Sequence, residues 1–174
     1  VCKDQVLSQA YLPVQTAEEE YSISSLFEFF SKILGLLVEQ APDPALSSAV
    51  GYIAASRDEE QGAELAIDAI RAFSQRAHRK ILLLVDNFDL ILSDQMTGDA
   101  ELGRLRDVLM NEAFLVLVAA APTYFREVSG YSRPFYQFFK HVELLELSFG
   151  QTQELLQRRA EFDGNRALLD RLEG

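Results

Sequence analysis

The sequence predicts an α/β domain, a three-layer arrangement in which a parallel sheet is flanked by helices. Three observations predict it. Ile81–Val85 and Phe114–Ala121 are apolar at every position, the pattern of strands buried on both faces. Between them, Ala100–Asn111 carries Leu102, Leu105, Val108 and Leu109 at helical spacing. Strand, helix and strand in that order, with a connection of that length, fit a right-handed parallel crossover.

Composition sets the outer limits. The chain has 174 residues, 48% hydrophobic and 25% charged, enough for one domain with a substantial core. Its net charge of -11, from 27 acids against 16 Lys and Arg, opposes a nucleic-acid footprint, which needs a basic face. It does not oppose a nucleotide, because backbone N–H groups and a metal ion hold phosphates without net positive charge. Cys2 is the only cysteine, so no intrachain disulfide forms, and a reducing, cytoplasmic setting is expected. No membrane span or signal peptide is read from the sequence.

The elements follow in order. Ala10–Gln15 reads as a short strand that Pro13 pushes toward a sheet edge. Thr16–Tyr21 is a polar connection whose acids, Glu18, Glu19 and Glu20, form a solvated face. Ser25 with Glu28 fits a capping box. Leu26, Phe29, Phe30, Ile33, Leu34, Leu37 and Val38 form one apolar stripe, so a helix runs to about Gln40 and stops before Pro42. Phe29 and Phe30 read as core. A short helix is expected around Leu46–Ala54, and a longer one over Gly62–Ala77 with Leu65, Ala66, Ala69, Ile70 and Phe73 inward. His78 reads as a surface cap at its end. Phe135, Phe138 and Phe139 lie at helical spacing and are expected on the sheet. Val142–Leu147 is expected as a short edge strand. Thr152–Phe162 is expected as a helix with Leu155 and Leu156 inward, stopped at Gly164-Asn165. A further helix is expected to begin at Ala167–Leu172.

The chemistry sits at the end of the first apolar run, in Asp86-Asn87-Phe88-Asp89. In open parallel sheets, ligands bind just beyond the carboxyl ends of the strands. A carboxylate there can hold a hard cation such as magnesium, which neutralises phosphate charge. An Asp at a strand end also serves simply to cap the following turn. The second run ends in Pro122-Thr123, so Asp86, Asp89 and Thr123 are expected near one sheet edge.

Taken together, these segments resemble the AAA+ and STAND class of P-loop ATPases, in the prokaryotic branch related to origin-recognition ATPases. Ile81–Asp89 resembles the Walker B strand, with Asp86 as the metal-binding acid. Phe114–Thr123 resembles the sensor-1 strand, whose polar tip, Thr123, lies near the terminal phosphate. Tyr11–Phe30 resembles the second strand and the helix after it. Phe135–Phe139 with Val142–Ser148 resembles the aromatic helix and last strand, and Gln153–Asn165 the helix leading to the lid.

The resemblance implies residues 1–163 as a partial nucleotide-binding domain and 164–174 as the start of a lid. It implies ATP and Mg2+ as cofactors. Arg126 and Arg133 would be the arginines nearest the phosphates, or else surface ion-pair partners such as Arg126 with Glu127. The sequence departs from the family in two places. No Gly-x-x-x-x-Gly-Lys-Ser/Thr loop occurs, so most of the phosphate grip lies outside this chain. Asn87 stands where many members carry Glu; an amide can orient water but cannot act as a base, and Asp89 is the nearest alternative acid. The implied function is the central part of a slowly hydrolysing regulatory ATPase. The alternative is a non-catalytic scaffold or oligomerisation module of the same fold. A sheet lacking one of its strands is also expected to show either low stability or self-association. A receiver-like fold would need an acid set that the sequence does not present.

Overall fold

The structure, a computed structural model, describes residues 9–16, 23–165 and 171. Cys2, the acidic triplet Glu18–Glu20 and, apart from Arg171, the helix expected at Ala167–Leu172 lie outside them. The chain divides into two compact units, Val1–Phe139 and Lys140–Gly174.

The first unit is α/β, with a three-stranded parallel sheet in the order β1-β2-β3. These strands are β1 (Tyr11–Gln15), β2 (Lys80–Val85) and β3 (Leu115–Ala119). Tyr11 pairs with Lys80 and Val85 with Ala119. Among the described residues β1 is an edge strand, as Pro13 predicts.

Helices flank the sheet. α1 (Leu26–Gln40) buries Phe29, Phe30, Ile33, Leu34 and Leu37, the stripe legible in the sequence. Its N-terminus is closed by two acids. Ser25 accepts the Glu28 N–H at 3.2 Å, while the Glu28 carboxylate reaches back to the Ser24 N–H at 2.6 Å, one residue short of a reciprocal box. The Glu101 carboxylate, distant in sequence, accepts the Leu26 N–H at 3.0 Å, which favours the positive end of the helix dipole. α2 (Pro44–Ala54) is capped by Asp43, and α3 (Glu59–Ala77) by Asp58. α3 ends at His78 in the left-handed conformation, φ 51°, so His78 is a C-cap. The inward face of α3 is Ala63, Ala66, Ile67, Ile70 and Phe73, and Leu65 turns outward.

α3 meets α1 where it has no side chain. A Cβ on Gly62 would lie 2.6 Å from the ring of Phe27. Gly62→Ala gains about 1 kcal/mol of helix propensity but forces a repacking worth about 1–3 kcal/mol. The expected net result is a loss on the order of 1 kcal/mol, read as a lower denaturation midpoint at unchanged slope.

After β2 the chain makes a short helical turn (Phe88–Leu90) and then a π-helical turn, Ile91–Gln95. Ile91, Leu92 and Met96 are buried by this turn. α4 (Asp99–Asn111) crosses back to β3 with Leu102, Leu105 and Val108 inward. Arg71 of α3 grips Glu112, just past α4, through paired bonds of 3.0 and 2.7 Å. That contact holds the Glu112 carboxyl below the usual range, against the opposing effect of burial.

Two expectations in this unit change. β2 buries Ile81, Leu83 and Val85 completely but Leu82 and Leu84 only in part. β3 opens to solvent toward its end, with Val118 55% exposed. Among the described residues the second face and the outer edge are therefore incompletely covered. Phe135, Phe138 and Phe139 also form no helix; they lie in consecutive turns. The rings pack on Phe88 and on one another, so burial is met without helical backbone.

In the second unit, residues 140–148 carry no regular element, which corrects the strand expected at Val142–Leu147. An apolar pattern alone does not make a strand without a neighbouring ladder to satisfy its backbone, and Leu144 is 90% exposed. α6 (Phe149–Asp163) begins with a full capping box between Ser148 and Gln151 and ends at Gly164, φ 66°. Leu155 and Leu156 are exposed rather than inward. The intervening one-turn helix α5 (Arg126–Ser129) belongs to the first unit.

Candidate functional site

The carboxyl ends of β2 and β3 are stitched together. The Ala120 N–H donates to the Val85 carbonyl at 2.8 Å, and the Phe88 N–H donates to the Ala120 carbonyl at 2.9 Å. Asp86 emerges beyond this join from one strand and exposed Thr123 from the other, at the same sheet edge. This follows from parallel pairing: β2 and β3 are neighbours and run the same way, so both tips reach one rim.

Asp86 is exposed, and its Oδ1 accepts the Asn87 N–H at 2.9 Å. Its Oδ2 has no partner among the described residues. Asn87 adopts the left-handed conformation, φ 48° and ψ 42°. Asn is among the few residues that take this conformation readily, and a Glu there would be strained. The backbone thus supplies a conformational reason for the amide beside its chemical one. Asp89 lies in the following turn with Oδ1 buried and without a hydrogen-bond donor among the described residues. A carboxylate oxygen in that condition is costly unless a donor or cation meets it.

The two arginines separate. Arg126 opens α5, is exposed and makes no ion pair among the described residues. Arg133 is tied down, with one nitrogen 3.1 Å from Glu127 and another 3.2 Å from Asp99. Glu127, not Arg126's partner, is the hub: only 5% exposed, it also accepts the Ser93 hydroxyl at 2.6 Å. Burial pushes its carboxyl up, but the bonds from Ser93 and Arg133 outweigh this and leave it below the ordinary value. Sequence reading missed this network. Glu127 and Arg133 stand six positions apart in an irregular segment, and charged residues are exposed by default. Only the π-helical turn that delivers Ser93 makes the contact possible.

Chemically, this rim fits magnesium only as one carboxylate with water and phosphate completing the shell. Among the described residues no group of three His, Cys, Asp or Glu could hold a metal ion. A cleft of about 620 Å³, lined by Tyr11, Arg71, Ser74, His78, Arg79 and Lys80, opens where the strands begin. It lies at the opposite end of the strands from Asp86. No helix among the described residues is long and apolar enough to cross a membrane. Compared with known proteins, the chain matches no family model, no curated protein and no solved structure.

Proposed function

We propose that this chain is the central part of an ATP-binding regulatory ATPase of the AAA+ and STAND type, working in a reducing cytoplasm. Its phosphate loop is then supplied from outside residues 1–174. What supports this reading above all is the parallel pairing of Val85 with Ala119, which brings an acid tip and a hydroxyl tip to one rim.

In this reading Asp86 holds Mg2+ through Oδ2, which has no partner among the described residues, Thr123 meets the terminal phosphate, and Asn87 orients water without removing a proton. Arg126, exposed and without an ion pair among the described residues, is the arginine available to a phosphate. Arg133, held by Glu127 and Asp99, fixes the loop instead. Bound Mg2+ would supply charge neutralisation at the phosphates.

A second reading, a scaffold module with a degenerate site, is favoured by the absence of a Gly-x-x-x-x-Gly-Lys sequence from the chain. The test is Asp86→Asn in a protein extended to include a phosphate loop. Mg2+-dependent turnover is expected to fall about 100-fold, with folding unchanged. Residues 1–174 alone are expected to show no thermal shift with Mg-ATP. Unchanged turnover removes Asp86 from the site; an extended protein that neither binds nor hydrolyses ATP passes the reading to the scaffold.

A further inference from the structure

Residues 71–80 carry Arg71, Arg76, Arg79 and Lys80 and no acid. In a protein with 27 acids, each cation is expected to find a carboxylate. Two of the four do. Arg71 is held by Glu112 and Asp68, and Arg76 by Asp43. Arg79 and Lys80 make no ion pair among the described residues.

These two cations line one cleft, that of about 620 Å³ where the strands begin. Glu112 is the one acid in its wall, and Arg71 beside it is bonded to it at 3.0 and 2.7 Å. Arg79 and Lys80 are therefore the charges left unbalanced. Arg79 is half-buried. Its Nη2 donates to the Tyr11 carbonyl at 2.5 Å, and its Nε is buried with no acceptor among the described residues. A neutral carbonyl fixes the direction of the guanidinium without neutralising it. A partly desolvated charge without a counter-ion is costly, and an anion in the cleft relieves that cost. Nη1 has no acceptor among the described residues and is the donor left for a ligand. Lys80, exposed at the start of β2, and the exposed amide of Gln75 add donors to the same wall. The carbonyls that end α3 are already engaged: Ser74 accepts the Arg79 N–H at 3.2 Å and Gln75 the His78 N–H at 3.3 Å.

We propose that this cleft binds a phosphate group, free or at the end of a small molecule. A dianion matches the two unbalanced cations. A guanidinium suits the spacing of phosphate oxygens, and an ammonium adds compact charge on a flexible stem. The cleft lies at the opposite end of the strands from Asp86, so it stands apart from the ATPase reading. Mg-ATP is not its ligand, because magnesium already holds those phosphates.

Inorganic phosphate titrated into residues 1–174 at low ionic strength, followed by amide chemical shifts, tests it. The expected result is saturable shifts at His78, Arg79, Lys80 and Ala113, with a millimolar affinity that falls as sodium chloride is raised. Mg-ATP is expected to leave these amides unshifted. Ethyl phosphate separates the two sources. Tighter binding than inorganic phosphate assigns the cleft to an ester; equal or weaker binding assigns it to free phosphate. Lys80→Met, at an exposed position, is expected to weaken binding about tenfold while circular dichroism stays unchanged. Arg79→Gln is expected to abolish saturation. No saturable shift with either phosphate overturns the proposal, and so do shifts centred on Asp86 and Thr123. An affinity unchanged in Lys80→Met overturns it as well, and leaves Arg79 the single task of covering the Tyr11 carbonyl.

Discussion

Replacing Phe135 by alanine is expected to destabilise the first unit by about 3–5 kcal/mol, the usual cost of deleting a buried aromatic ring. Phe135 is 0% exposed. It stacks on Phe139 at 5.5 Å and meets Phe88 edge-on at 6.5 Å. The loss is a large part of a typical domain's roughly 5–15 kcal/mol, so the variant should sit near its unfolding transition. The effect also reaches the rim. Phe88 follows Asp86 by two residues, and its N–H closes the join to Ala120. Faster hydrogen exchange at the Phe88 amide is expected beside the lowered urea midpoint. A loss below about 1 kcal/mol would mean that the loop carrying Phe135 is not part of the core.

Arg133→Ala is the second large effect. It strands the Glu127 carboxylate, which keeps only Ser93. Removing one partner of a buried pair costs about 3–5 kcal/mol; Arg133 is itself 24% exposed, which places the expected loss near the lower end. The loss depends on pH. In the native protein the Glu127 carboxyl is held below its usual 4.5. The pair's contribution is therefore complete above that value and disappears as pH falls through the lower, folded-state value. Without Arg133, burial is opposed by Ser93 alone among its side-chain partners, and the carboxyl takes up its proton at higher pH. The difference between native and variant unfolding energies is expected to be larger at pH 7 than at pH 4. A difference constant across that range would assign Arg133 a packing role only.

The strands show why so much of the fold could be read from the chain. Ile81–Val85 and Leu115–Ala119 are apolar at consecutive positions and separated by an amphipathic helix, and few arrangements other than a parallel crossover satisfy that pattern. Helix limits were legible wherever a cap or a breaker marked them, as at Ser25 and Pro42. They were less so at Asp58, which caps α3 so that it starts at Glu59, three residues ahead of Gly62, because a polar first turn carries no periodicity. Helical spacing misled at Phe135–Phe139, where a loop delivers the same rings to the same core. It misled again at Leu155 and Leu156, which have the spacing of an inward face but lie exposed.

At the rim, Asp86 and Thr123 were legible because strand direction and residue order alone decide which ends meet. The backbone conformation of Asn87, the orphaned oxygen of Asp89 and the different circumstances of Arg126 and Arg133 were not. Each depends on what a residue distant in sequence places beside it.

The sequence by itself determined the class of fold, the parallel direction of β2 and β3 and the edge at which an acid and a hydroxyl emerge. These follow from the period of apolar residues, a property local to each segment. Only the tertiary structure decided which charges are buried and which arginine is held in ion pairs. Those outcomes depend on pairing across the fold, where Ser93, Asp99, Glu127 and Arg133 meet, and no local pattern encodes such a meeting.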